Sequence, residues 1–155
     1  VTLVLDTNVW LDWLVFADRR IGPLARAIEA GAVTVLATAP MLEEFGAVVR
    51  RPLFGLDAAA CAALSARQRA TVTMCEPAPD CRLPCTDRAD QMFIDLAVAR
   101  RVDWLVSRDK ALLRLRRIGE RRFALRVGTP EQWLAATGTE EAGPAYNRPN
   151  VDPSP

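Results

Sequence analysis

Histidine is absent from all 155 residues. That excludes serine and cysteine hydrolases with an imidazole base, histidine-driven ribonuclease chemistry, and zinc sites built on imidazole. Any hydrolysis must lean on carboxylates, thiols, lysine or a metal. Lysine is almost absent too: Lys110 is the single one among 20 basic residues, so the positive charge is carried by arginine. Neither a membrane span nor an export signal is expected. The first sixteen residues are apolar, but they lack a basic start and are interrupted by Asp6 and Asp12,. A cytoplasmic protein is the default expectation, and the start at Val1 implies an initiator Met that is missing or removed. Four cysteines lie within Cys61–Cys85 without paired C-x2-C spacing. A four-cysteine zinc site is therefore disfavoured, and reduced thiols are expected in a cytoplasmic protein.

What is present is an ordinary globular composition, 50% apolar and 25% charged, in a length that suits one domain with a sizeable core,. Short apolar runs alternate with helical patterns. TLVL at 2–5, VTVLA at 33–37, VDWLVS at 102–107 and FALRV at 123–127 read as buried strands. Helices are expected over 8–17, 22–31, 41–50, from the Asp57 cap to about 74, over 87–101, and in the basic stretch RDKALLRLRR,. A last helix follows the capping-box sequence Thr129-Pro130-Glu131-Gln132,. This alternation predicts an α/β sandwich around a mostly parallel sheet. Residues 1–138 form the expected domain, and the proline-bearing stretch 139–155 reads as a flexible tail,.

The acids recur where such a sheet would place a ligand. In open parallel sheets, ligands sit outside the carboxyl ends of the strands. Asp6 directly follows the first strand in LVLDTNVW, and Asp109 lies just beyond VDWLVS. In the third helix, Met41, Glu44, Phe45 and Val48 share one face, whereas Glu43 groups with Gly46, Ala47 and Arg50,. Asp90 continues the apolar stripe of Phe93, Ile94, Ala97 and Val98, Asp87 fits an N-cap, and Asp95 falls off the stripe. Each acid alone has an ordinary explanation as a helix cap or an ion-pair partner. Taken together, inward carboxylates without histidine or a thiolate pattern favour one or two hard cations, Mg2+ or Mn2+.

LVLDTNVW, the LEEF helix, DRADQMFIDLA and VSRDKALL resemble, over about residues 2–137, the successive acidic motifs of PIN-domain ribonucleases, which include VapC-like toxins of toxin–antitoxin systems. The resemblance implies a three-layer α/β/α fold and metal-dependent endonucleolytic cleavage of RNA. It matches Asp6, Glu44, Asp90 and Asp109 to the family's acidic quartet and Asp87 to an additional acid of one subgroup. Asn8 and Ser107 match its supporting polar positions, Ser107 keeping the hydroxyl of the commoner Thr. On that reading Asp6, Asp90 and Asp109 hold metal, Glu44 binds through water or positions a second ion, and Asn8 and Ser107 orient the carboxylates. Arg108, Lys110, Arg114, Arg116 and Arg117 are candidates for guiding the RNA backbone, because planar guanidinium groups suit phosphate. A solvated basic helix face is the competing explanation for that cluster.

Two other functions fit parts of the chain. A haloacid-dehalogenase-like phosphatase would use Asp6 as nucleophile, but needs a second acid where this chain has Asn8,. A catalytically silent interaction module with the same fold would keep the acids without turnover. The nearly all-apolar helix at 8–17, with Trp10 and Trp13, is expected either to be buried on several sides or to meet a partner, a second copy or an antitoxin,.

Overall fold

The computed structural model describes residues 1–138, so the expected tail at 139–155 lies outside the described residues. Five strands form one all-parallel sheet: β1 (Thr2–Leu5), β2 (Thr34–Thr38), β3 (Val72–Cys75), β4 (Trp104–Val106) and β5 (Arg126–Gly128), in the order β3-β2-β1-β4-β5. Around it pack the helices α1 (Thr7–Leu14), α2 (Gly22–Glu29), α3 (Ala39–Val49), α4 (Ala58–Thr71), α5 (Gln91–Ala99), α6 (Lys110–Leu113), α7 (Arg116–Phe123) and α8 (Pro130–Thr137). The three-layer α/β/α expectation is met.

The layers follow from the period of two along each strand. Leu3, Leu5, Trp104 and Val106 join one core cluster with Val9, Trp10, Phe45 and Trp133. Val4 and Leu105 join the other cluster, with Phe93, Ile94, Leu96 and Leu112. Both faces being covered explains why TLVL and WLV are continuously apolar rather than alternating. Each large side chain so buried stabilises the fold by about 1.5–3 kcal/mol.

The strand order sets the position of everything that follows. From β1 the chain moves outward through β2 to β3, then returns to the far side of β1 for β4 and continues to β5. The direction of winding therefore reverses between β1 and β4, and a crevice opens there at the carboxyl ends of the strands. Asp6 leaves β1 at that crevice, with its amide bonded to Val106 O at 3.0 Å, and Ser107 leaves β4 beside it.

Several expected boundaries move. The helix expected to run to about residue 74 ends at Thr71, and Val72–Cys75 becomes the edge strand β3. The first helix stops at Leu14 rather than 17, where Ala17 takes a left-handed φ of 48°. The stretch 87–101 divides into a 3-10 turn at Arg88–Asp90 and α5. The basic stretch divides into α6 and α7, and Phe123, expected in the last strand, belongs to α7. The capping box at Thr129 is present as expected, with Gln132 N donating to Thr129 Oγ1 at 3.2 Å and Thr129 N to Gln132 Oε1 at 2.9 Å.

That box explains a glycine. A Cβ on Gly128 would stand 2.8 Å from Gln132 Oε1 and 3.0 Å from the Trp104 ring, closer than packed atoms tolerate,. Helix α1 is buried through Val9, Trp10, Leu11 and Leu14, and Trp10 stacks on Trp13 at 5.4 Å between centroids. The four cysteines are free thiols. No helix among the described residues is long and apolar enough to cross a membrane.

Candidate functional site

Asp6 stands at the N-cap position of α1, yet its side chain makes no capping hydrogen bond. It is almost fully buried, and its Oδ2 instead accepts a 2.7 Å bond from Ser107 Oγ. The same Ser107 oxygen accepts the Asp109 amide at 2.9 Å, and Ser107 N donates to Gly128 O at 2.9 Å. One completely buried hydroxyl thus ties the end of β1 to the turn after β4. Asp109 is half-buried and caps α6, its Oδ1 accepting from Ala111 N at 2.7 Å. That bond engages one carboxylate oxygen.

Glu44 is half-buried on α3 and Glu43 is exposed, as the helical phase predicts. Its Oε2 accepts a hydrogen bond from Thr7 Oγ1. Thr7 immediately follows Asp6 and is itself buried, so α1 delivers a donor to the second acid while β1 delivers the first. Asp90 closes the 3-10 turn before α5 and is buried. Its Oδ2 has no hydrogen-bond partner and is the one carboxylate oxygen so stranded among the described buried side chains.

The electrostatics bind these four acids into one group. Burial, the largest influence, raises Asp6 to about 6, against the pull of the Ser107 hydroxyl and the Thr7 amide. The charges of Asp109 and Glu44 push it the same way as burial. Asp90 is raised to about 7, first by burial and then by the charges of Asp6, Asp109, Asp87 and Glu44. A buried oxygen without a donor, under the charges of three further carboxylates of this set, is unfavourable for the protein alone and suits a hard cation,. The donor set is all oxygen, which fits Mg2+ or Mn2+ rather than a thiophilic ion.

Other expected residues fall differently. Asp87 is exposed and caps the turn before α5 through Ala89 N at 2.9 Å, the ordinary explanation the sequence allowed. Asn8, expected to orient the carboxylates, is exposed and its side chain makes no hydrogen bond to the described residues; its neighbour Thr7 donates to Glu44 instead. Arg108, expected to guide RNA, is turned inward: Nε bonds Asp12 Oδ2 at 2.9 Å and Nη1 bonds Glu131 Oε2 at 2.9 Å. Two carboxylates of the same chain thus occupy this guanidinium. Lys110, Arg114, Arg116 and Arg117 are exposed. Arg116 lines an open cleft of about 410 Å3 with Trp104, Arg126 and Gln132.

Asp95, off the apolar stripe of its helix, is nonetheless buried. Its Oδ1 accepts Cys81 N at 3.1 Å and Gln91 Nε2 at 2.9 Å, while Gln91 also bonds Leu83 O and Cys85 N. These bonds fasten the loop before α5. Asp80, Cys81 and Asp95 bring their ligand atoms within 4.8 Å of one another, the one such grouping among the described residues. It is separate from the four acids above, and Asp95 there is already satisfied by amides. Burial foremost, with the hydrogen bond to Asp95 next, pushes the Cys81 thiol to about 11, far from a thiolate ligand,.

A sequence profile described as the PIN domain matches residues 2–111, a span holding all four acids, Ser107 and Thr7. Proteins of that family are typically metal-dependent nucleases. Neither curated proteins nor solved structures give a match.

Proposed function

We propose, from the premise that the chain belongs to the PIN-domain family, that it is a Mg2+- or Mn2+-dependent endoribonuclease and the toxin component of a toxin–antitoxin system. The observation that carries the nuclease reading is the stranded Oδ2 of buried Asp90 in a group of four carboxylates. Asp6, Asp90 and Asp109 would hold the cation, with Glu44 through water or on a second ion. A bound cation of this kind supplies an activated water and neutralises charge on the phosphate.

The chain's own residues account for the rest. Ser107 fixes Asp6 by donating to Oδ2, leaving Oδ1 uncommitted to that bond, and holds the Asp109 turn through the amide. Thr7 orients Glu44 in the same way. Lys110, Arg114 and Arg117 are exposed beyond Asp109 and would attract the RNA backbone, which makes binding sensitive to salt,. The toxin role rests on the resemblance to VapC-like chains, and an antitoxin and a second copy of the chain are the partners it implies. The four free thiols agree with a cytoplasmic setting,. The phospho-aspartate alternative is disfavoured because the position two residues after Asp6 is an asparagine, which cannot supply the second acid.

The deciding experiment incubates the purified protein with mixed RNA and Mn2+, beside Asp6→Asn protein and an EDTA control. Cleavage confined to the wild type with metal is expected. Equal cleavage in all three would remove the metal-nuclease reading, and a phosphate trapped covalently on Asp6 would replace it. Sequencing of the cut ends identifies the preferred RNA.

A further inference from the structure

Asp12 is the charge that interrupts an otherwise apolar α1, and Glu131 lies on α8, beyond the residues the family profile matches. Both point at one side chain. Arg108 Nε meets Asp12 Oδ2 at 2.9 Å, Nη1 meets Glu131 Oε2 at 2.9 Å, and Nη2 stands 2.8 Å from Glu131 Oε1. Nη2 is buried and makes no hydrogen bond of its own, so that last contact is an ion pair without alignment. The Arg108 side chain is only 21% exposed and Asp12 only 19%. Burial pushes the Glu131 carboxyl up, yet the hydrogen bond and charge of Arg108 leave it below its ordinary value.

The position of Arg108 in the chain gives this clamp its consequence. It sits between Ser107, which holds Asp6, and Asp109, one of the four acids. The backbone of that turn is otherwise held by Ser107 N on Gly128 O, Asp109 N on Ser107 Oγ, and the cap of Asp109 on α6. All three bonds lie on the β4–β5 side of the molecule. Ser107 Oγ also ties the turn to Asp6 at the end of β1, and Arg108 reaches further, to Asp12 on α1 and Glu131 on α8, fixing the turn against the body of the helix that follows Asp6.

We infer that Arg108, clamped by Asp12 and Glu131, is a positioning residue that sets Asp109 relative to Asp6 for cation binding, and that α8 is thereby part of the site. This rests on the metal-nuclease reading above. Removing residues that orient metal-binding side chains commonly costs ~10- to 100-fold in metal affinity.

The test measures Mn2+ binding by calorimetry on full-length wild type, Asp6→Asn, Arg108→Met, Arg108→Lys and Glu131→Gln, with thermal melts and RNA cleavage on the same preparations. Expected are about tenfold or greater weakening of Mn2+ in Arg108→Met, partial recovery in Arg108→Lys, and weakening in Glu131→Gln, whose carboxylate is 43% exposed, with a melt close to that of wild type. The Mn2+ concentration for half-maximal cleavage should rise in parallel, with the KM for RNA unchanged. Wild-type Mn2+ affinity in a folded Arg108→Met or in Glu131→Gln overturns the inference while leaving the metal site standing. So does a raised RNA KM with Mn2+ affinity intact, which would make Arg108 an RNA contact. If wild type and Asp6→Asn bind Mn2+ alike, the metal reading fails and this inference with it.

Discussion

Ser107 serves two acids with one oxygen, donating to Asp6 and accepting the Asp109 amide. Ser107→Ala should leave a buried carboxylate short of a donor, costing about 1–3 kcal/mol of stability and weakening Mn2+ by ~10- to 100-fold; melts and calorimetry check both. The raised acids also give a pH signature. Asp6 titrates at about 6 and Asp90 at about 7 in the fold, against about 3.9 in an unfolded chain. Between those values the native state holds more protons than the unfolded one. The contribution of these two groups to the stability of the metal-free protein is therefore greatest below about pH 4 and declines as pH rises to about 7. Cation binding needs the ionised carboxylates, so stabilisation by Mn2+ should grow across that same interval. Melts at pH 5 and 7.5, with and without Mn2+, measure it, and an equal shift at both would contradict the assignment. At this scale the sequence was readable wherever helical phase applied: Glu44 and Asp90 turn inward as their stripes predict. Thr7 and Asn8 were not separable, because neighbouring helix positions point about 100° apart and the direction of α1 is set by tertiary packing. The inward turn of Arg108 was not legible for a similar reason, since a run of arginines says nothing about which one pairs with carboxylates of the same chain.

Elements decide how firmly those residues are held. The loop before α5 carries no regular structure and depends on Asp95 and Gln91 for its amides and carbonyl. Asp95→Ala should destabilise the protein by about 1–3 kcal/mol while leaving Mn2+ affinity near wild type, as chemical denaturation and calorimetry would record. Asp95 escaped the stripe because an aperiodic loop, not another helix, covers it. The edge strand β3 escaped as well: Val72 follows α4 without glycine or proline to mark the break, and Thr73 and Met74 are exposed. At the opposite edge, Gly128→Ala would crowd Trp104 and the Gln132 cap. A loss of about 1–3 kcal/mol is expected, read as a lowered denaturation midpoint. The central strands β1 and β4 were plain in the sequence because continuous apolar runs identify strands buried on both faces.

Over the whole molecule, charge is divided between an acidic crevice at the winding reversal and the exposed cations beyond Asp109. RNA binding should weaken steeply with salt, and reversing Lys110, Arg114 or Arg117 to glutamate should lower the salt slope by about 1 each. Filter binding of catalytically disabled Asp6→Asn protein from low to moderate salt would show it, and an unchanged slope would release those residues from the interface. The fold class was legible from the order of elements, but the reversal between β1 and β4 was not, since strand order is settled by pairing across the chain. Ser107 takes its backbone partner from Gly128 and Arg108 takes its counter-ion from Glu131, both among the last residues described. During synthesis the acids therefore emerge well before the segment that locks them. A ribosome-bound chain arrested before Gly128 should neither retain Mn2+ nor cut RNA, whereas one extended past Thr137 and clear of the ribosome should do both. If so, the order of synthesis withholds the cation-binding geometry until the segment through α8 has emerged.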